Sequence, residues 1–572
     1  MRDAKYFTHP VADWQRRYEA LRALLVERLP VRVVAERFGY SEGYLRYLSH
    51  QFRHELFDFS EPVPEGKARR RRVTGEMRRK ICSWRKESLS AGEIAQLLFE
   101  EGHEISVSTV ERVLAEEGCP KLPRRTRHRI GLTVKGASLP ERSGVARAGD
   151  FEGADLECFG AGVFLFCPFL SRLDIAGVVR EAGLPGTREI PALSYLLSFL
   201  ALKLLGTERY SHVGDHAFDP GLGLFAGLGV LPKTTAMSTY SYSLDAVHIV
   251  KIARAFVKRA RKLGLYDGRI VNLDFHTAAH FGDESVLEEH WAGARGKTMK
   301  GALTLFAQDS ASKLILYTTA DITRDEVDDQ ALAFLSFWRS VARGVKPTLV
   351  FDSRFTTYEK LSILGSEGVK FITLRRRGAK LVEAAEKAAD WKRVRIPHQG
   401  RKFPDPYVNE SMVRLKDYDG YVRQIIMKGN GREKPTFIVT NDFEIPVELV
   451  VGNYARRWRV ESGIAEAVKF FNLNSLSSPI LTKVHFDVAM TMVADTLYTM
   501  FAQKLRGFEH CDAPKLYRHF VKGKGTVSVR NGEVTVTYPR RAQNPILRNV
   551  PWDRLPGLLP GLHDAPLTFQ FK

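Results

Sequence analysis

The chain has 572 residues, and Lys+Arg outnumber Asp+Glu by 86 to 66, a formal charge of +20. At roughly 150 residues per domain, that length predicts about four folding units. With 44% hydrophobic and 10% aromatic residues there is apolar material for real cores, which excludes a mostly disordered chain. Five scattered cysteines (Cys82, Cys119, Cys158, Cys167 and Cys511) and no C-x-x-C pair exclude a disulfide framework and a zinc ribbon or finger. The most apolar run, Pro191 to Gly206, carries Lys203 and is too short for a membrane span. Met1-Arg2-Asp3-Ala4-Lys5 leads into polar sequence rather than a signal core. The expectation is a cytoplasmic, nucleoid-associated basic protein with no membrane partner. Its cation excess points first to nucleic acid, because Lys and Arg release counterions from phosphates. Charge alone leaves RNA, the ribosome or an anionic membrane open.

Residues 19 to 58 read as three short helices. Leu21, Leu24 and Leu25 form an apolar stripe, Val31 to Phe38 a second helix, and Ser41 caps a third from Glu42 to Phe57 after a turn at Gly39. That is a helix-turn-helix layout, and equally that of an ordinary helical hairpin. A second unit follows. Thr74 to Lys86 is helical, Ser90 and Glu93 form a capping box, and Ser106 to Ser108 cap a helix over Thr109 to Glu117. Basic runs lie between and after the units: Lys67 with Arg69, Arg70, Arg71 and Arg72, then Lys121, Arg124, Arg125, Arg127, His128 and Arg129. Beside helix-turn-helix candidates they are expected to follow DNA phosphates or the minor groove. The expected domains are 1–60 and 74–130 for the two DNA-binding units, 61–73 and 131–157 for linkers, and 158–266 for a helical domain.

After Gly268 the texture changes. Arg269 to Leu273 is a buried strand delivering Asp274; Lys300 to Asp309 and Lys313 to Asp321 are two more strands around the turn Ser310-Ala311-Ser312. Asp325 to Ala342 is an amphipathic helix, Pro347 to Phe351 a fourth strand delivering Asp352, and Tyr358 to Gly365 a helix. One carboxylate after a strand usually means only a turn or cap. Two, on the first and fourth strands of this order, form a ribonuclease H-like arrangement that needs a third carboxylate to hold two divalent ions. The candidate is Glu461. With Tyr454 and Arg457 it is spaced to share one helix face, a spacing also common in surface salt-bridge helices.

The segments N-L-D, V-F-D-S-R-F and Y-A-R-R-W-R-V-E-S-G-I-A-E-A-V-K resemble the DDE transposases of bacterial insertion sequences. The likeness is to the cut-and-paste group with a Tyr-x2-Arg-x3-Glu-x6-Lys signature, and it covers roughly residues 190 to 505. With the two N-terminal units read above, the expected protein is multidomain: an all-α helix-turn-helix N-terminal part, then the α/β ribonuclease H-like core (267–369 and 448–510) with the β-rich insertion at 370–447 that the resemblance implies. The C-terminal extension is 511–572. It implies Asp274, Asp352 and Glu461 as catalytic metal ligands, two Mg²⁺ ions (replaceable by Mn²⁺), and Tyr454 and Arg457 as DNA contacts. Lys469 is a weaker contact, since seven residues rather than six separate it from Glu461, about 80° around a helix. The implied activity is metal-dependent cleavage and strand transfer at the ends of a mobile DNA element. The implied partners are end and target double-stranded DNA and a second copy in a synaptic homodimer. The alternatives are a catalytically retired transposase-derived regulator and a ribonuclease H-like nuclease acting on other substrates.

Other residues carry less. His276 with His280, and His212 with His216, have helical zinc-pair spacing but no evident third ligand, although His276 lies two residues from Asp274. Arg295, Lys297 and Lys300 face DNA or solvent, Glu466 is expected at the surface, and Val527 to Tyr538 reads as a hairpin about Asn531-Gly532.

Overall fold

The computed structural model describes residues 12–53, 73–87, 89–103, 105–119, 122, 145–216, 218–281, 287–293, 296–320, 322–396, 405–475 and 481–572. Arg69, Arg70, Arg71, Arg72, Arg124, Arg125, Arg127 and Arg295 lie outside the described residues. The chain forms two compact units, Met1–Lys80 with Leu98–Ser106 and Ile81–Leu97 with Val107–Lys572.

In the first unit, helices α1 (Asp13–Leu25), α2 (Val31–Phe38) and α3 (Glu42–Arg53) enclose a small core of Ala20, Ala23, Val34, Ala35, Phe38 and Leu45. The turn into α3 requires a left-handed residue, supplied by Gly39 at φ +70°. Ser41 Oγ then accepts a hydrogen bond from the Tyr44 amide at 3.2 Å, the N-cap expected from sequence. Helices α4 (Gly75–Lys86), α5 (Ala91–Glu100) and α6 (Val107–Glu116) follow. The capping box is present: the Ser90 amide donates to Glu93 Oε2 at 2.7 Å and the Glu93 amide to Ser90 Oγ at 3.3 Å.

The second unit is a mixed α/β assembly. Strand β1 (Asp155–Cys158) falls in the stretch expected to be a linker. Helices α7 (Ala192–Leu204) and α8 (Ala246–Lys262) come next, α7 buried almost all round and α8 strongly one-sided, with Ile249, Ile252, Phe256 and Ala260 inward. The main sheet uses β2 (Ile270–Ala279), β3 (Glu289–Ala292), β4 (Lys297–Asp309), β5 (Ile315–Thr319), β6 (Thr348–Val350) and β7 (Lys370–Leu374). Strands β2, β4 and β5 pair antiparallel in the order β5-β4-β2, while β2, β6 and β7 run parallel. Helix α9 (Gln330–Val341) crosses over to β6 and α10 (Tyr358–Ser366) to β7, as parallel neighbours require. Four further strands, β8 (Lys392–Arg393), β9 (Tyr407–Val413), β10 (Val422–Lys428) and β11 (Thr436–Thr440), extend the same sheet beyond β7 through the antiparallel pair β7·β11. Helices α11 (Val447–Arg456), α12 (Trp458–Lys469) and the buried α13 (Leu481–Ala502) complete the unit, α13 packing on β5, α7 and α8. A C-terminal sheet of β12 (Gly525–Arg530), β13 (Glu533–Tyr538), β14 (Leu558–Leu559) and β15 (Ala565–Phe571) recruits β1 against β12. The expected Asn531-Gly532 hairpin is its β12–β13 turn.

Several boundaries differ from the sequence reading. Strand β2 continues five residues past Asp274, because its long antiparallel pairing with β4 keeps it extended; Asp274 therefore sits mid-strand. Strand β4 begins at Lys297, three residues before the expected start at Lys300. Expected strand 412–416 lies at 407–413, where β10 supplies its partner residues. Among the described residues no single helix is long and apolar enough to cross a membrane; one bent pair, 161–172 with 175–182, passes on length and composition alone.

The start of β2 is fixed by buried chemistry. Gly268 holds φ +68°, and a Cβ there would stand 2.2 Å from the Trp338 ring of α9, so only glycine fits. The fully buried Asp309 carboxylate accepts the Gly268 amide at 3.0 Å and both the amide and hydroxyl of Ser312 at 2.7 Å. It pins the β4–β5 turn to the entry of β2. Asp309→Ala, which strands those donors, should lower urea-unfolding stability by about 3 kcal/mol, with Asp309→Asn recovering part of the loss; a change below about 1 kcal/mol would show that the contacts hold nothing.

Candidate active site

Asp274 lies on β2 and Asp352 two residues beyond the end of β6, the parallel neighbour of β2. Strand β2 and the Asp352 loop are clamped by aromatic packing: Phe275 stacks on Phe355 at 4.4 Å between ring centroids, and Phe355 meets Phe351 at 5.2 Å. Asp352 Oδ1 accepts the Ser353 hydroxyl at 3.0 Å and the Arg354 amide at 3.3 Å. Neither carboxylate is free to drift.

Glu461 arrives from the far end of the sequence on α12. Helices α11 and α12 are continuous through Arg457, which keeps helical angles (φ −54°, ψ −35°) as it ends one and begins the other. Arg459 Nη1 donates to the Ser310 carbonyl at 2.8 Å, tying α12 to the β4–β5 turn. Gly463 lets the helix approach closely, since a Cβ there would stand 2.7 Å from Gln308 Nε2.

Arg457 joins the parts. Its side chain, 13% exposed, donates from Nη1 to Asp274 Oδ2 at 3.1 Å and from Nη2 to Glu461 Oε1 at 2.5 Å. Tyr454, expected on the same face, lies under this guanidinium with its ring centroid at 5.9 Å. Burial pushes the Asp274 carboxyl up to about 6, against the pull of Arg457 and with help from Glu461 and Asp352. Burial likewise raises Tyr454, opposed by Arg457. The four charged side chains thus form one electrostatic unit, although Glu461 itself is half exposed.

The three carboxylates offer an all-oxygen donor set of the kind Mg²⁺ or Mn²⁺ takes. A buried aspartate raised to about 6 is an acid short of positive charge. As the side chains stand, Arg457 bridges two of the carboxylates, and among the described residues no three His, Cys, Asp or Glu groups are arranged to share a metal ion. The donor chemistry fits such ions; the guanidinium sits where they would compete.

The remaining sequence candidates separate. Lys469 is exposed at the end of α12. His276 is in a strand, where i,i+4 residues are too far apart for a helical zinc pair, and its Nε2 meets Asn474 Oδ1 at 2.7 Å. Glu466 is not at the surface. Helix α12 is covered on two sides, so the Glu466 carboxylate accepts the Ala513 amide at 2.6 Å and burial raises its pKa.

Two cationic groups near the carboxylates were missed. Arg354, Arg376 and Arg377 line an open groove with Ser353, one residue from Asp352, and Arg376 Nε reaches the Ser353 carbonyl at 3.4 Å. On the other side, Asn430 and Arg432 of the β10–β11 turn share a cavity of about 260 Å³ with Tyr454, Arg457, Trp458 and Glu461. The run Arg375-Arg376-Arg377 was the available signal; nothing local to Arg432 distinguishes it. In comparison with known proteins, the chain matches no family model and no curated sequence.

The raised Asp274 value gives a signed expectation. A carboxyl group whose folded pKa exceeds its unfolded value of about 3.9 binds more protons when folded, so its contribution is full below that value and is lost as pH rises through about 6. Asp274→Asn should therefore be more stable than wild type to urea above about pH 7, by at most about 3 kcal/mol, with the gain disappearing below about pH 4. Loss of stability at every pH would mean that the Arg457 ion pair is a structural clasp.

Proposed function

We propose that this chain is a DDE-type DNA transposase that binds the ends of a mobile element and catalyses metal-dependent strand cleavage and strand transfer. The observation that carries the reading is the convergence of Asp274, Asp352 and Glu461, from two adjacent parallel strands and a distant helix, upon Arg457. The strand order β5-β4-β2-β6-β7, with its three antiparallel and then two parallel members, supports a ribonuclease H-like core. Strands β8 to β11 are in the position of the β-rich insertion that the transposase resemblance implies.

Divalent ions held by the three carboxylates would supply Lewis-acid activation of the attacking oxygen and stabilisation of the leaving 3′-oxygen. The chain's own residues do the rest. Arg457 presents a planar fork that can exchange its carboxylate partners for two oxygens of the phosphate beside the cleaved bond. Tyr454 holds that guanidinium from below. Arg354, Arg376 and Arg377 on one side, and Arg432 on the other, carry exposed positive charge along which the DNA backbone would run. Helices α1–α3 and α4–α6, with Arg69 to Arg72, Arg124, Arg125 and Arg127, read the element ends. Lys469 would be a peripheral contact. Acting on two ends requires a homodimer when assembled on DNA, in keeping with a nucleoid-associated protein.

One observation favours the alternative of a catalytically retired regulator: Arg457 already neutralises two of the three carboxylates. Alanine substitution separates the readings. Asp274→Ala, Asp352→Ala and Glu461→Ala should each abolish Mg²⁺-dependent cleavage of end DNA while retaining end binding in a mobility-shift assay. Arg457→Lys should impair strand transfer more than the Mg²⁺ requirement. Wild-type protein that binds end DNA without cleaving it at any Mg²⁺ or Mn²⁺ concentration would support the regulator.

A further inference from the structure

A second cavity, of about 300 Å³, opens between the end of α7, the segment around Ser238 and the start of α13. That size is at the lower end for small-molecule sites. Its floor is apolar, with Phe199, Met237 and Phe486. Its wall holds two acids, and each is already matched. Asp487 pairs with the buried Lys203 at 2.8 Å, and Glu208 pairs with Arg209 at 3.7 Å while accepting the Ser475 hydroxyl at 3.4 Å.

Lys483 is left over. It lines the cavity from α13, and among the described residues no carboxylate pairs with it; its ammonium lies 4.2 Å from the centroid of the Tyr242 ring. Burial lowers its pKa to about 8, so the protein holds this charge at a cost that packing alone does not return. Ser211, Ser238 and Ser241 line the same space. A cation with no carboxylate partner among the described residues, beside several hydroxyl donors, suits a ligand rich in acceptor oxygens. A carboxylate offers two oxygens and a phosphate three or four, and the apolar floor leaves room for an attached ring.

We infer that this cavity binds the phosphate of a nucleotide-sized ligand through Lys483 and the serine hydroxyls. The site is separate from the three carboxylates and stands whether or not they are catalytic. Two sources share the chemistry: a free mononucleotide and the 5′-phosphorylated end of a DNA strand. The groups that face Lys483 across the cavity are Glu208, Arg209, Tyr210 and Asp487, with Tyr242 beneath it; the two acids are paired, so Lys483 governs the pH response between about 7 and 10.

Calorimetric titration of the full-length chain with inorganic phosphate tests this. Binding should be measurable near pH 7.5 and several-fold weaker near pH 9.5, although phosphate gains negative charge over that range, because the ammonium deprotonates. Lys483→Met should weaken binding by about tenfold or more. Ser238→Ala combined with Ser241→Ala, which leaves Lys483 in place, should weaken it by a smaller factor. Competition by deoxyadenosine monophosphate would identify a free nucleotide as the ligand. Competition by a 5′-phosphorylated but not a 5′-hydroxyl oligonucleotide would identify a DNA end. Unchanged phosphate affinity in both variants, affinity that does not fall at high pH, or competition by neither source would overturn the inference.

Discussion

The arrangement of the core turns on one buried guanidinium. Arg457 bonds to Asp274 on β2 and Glu461 on its own helix chain, so it joins the central strand to a helix 183 residues away in sequence. A cluster of three carboxylates at the end of a sheet repels itself. Arg457 offsets part of that repulsion, yet burial still leaves Asp274 near 6. The balance is therefore incomplete. In the proposed transposase reading, a divalent ion meets that residual demand and frees Arg457 to bind a phosphate.

Much of the surrounding structure serves that convergence. Asp309, Gly268 and Trp338 set where β2 begins; the Phe275–Phe355 stack binds the Asp274 strand to the Asp352 loop; Arg459 and Gly463 seat α12 on the sheet. Each is a packing or hydrogen-bond device rather than a reactive group. Together they bring residues from 268 to 463 to one end of a sheet. The extension by β8 to β11 then places the Asn430–Arg432 turn over α11 and α12, where it shares a cavity with Tyr454 and Glu461.

What was legible in the sequence was what local patterns encode. The N-caps at Ser41 and Ser90, the strand that carries Asp274 and the strand leading to Asp352, the Asn531-Gly532 hairpin and the shared face of Tyr454, Arg457 and Glu461 follow from short-range rules of capping, burial and helical period. The misses need a partner distant in the chain. Strand β1 is a strand because β12 pairs with it. Glu466 is enclosed because residue 513 returns to it. Arg432 joins the carboxylates because a hairpin of the insertion folds back onto α11 and α12. The closure of Arg457 on Asp274, rather than outward, depends on the burial of both, which no spacing reveals.

The central claim is that the carboxylates await a divalent ion and that Arg457 yields to it. Anomalous diffraction from crystals of the full chain equilibrated with Mn²⁺ tests that most directly. The account predicts manganese peaks bounded by Asp274, Asp352 and Glu461, with the Arg457 guanidinium turned off Asp274. Arg457 still bridging Asp274 and Glu461, with no manganese beside them at saturating concentration, would contradict it.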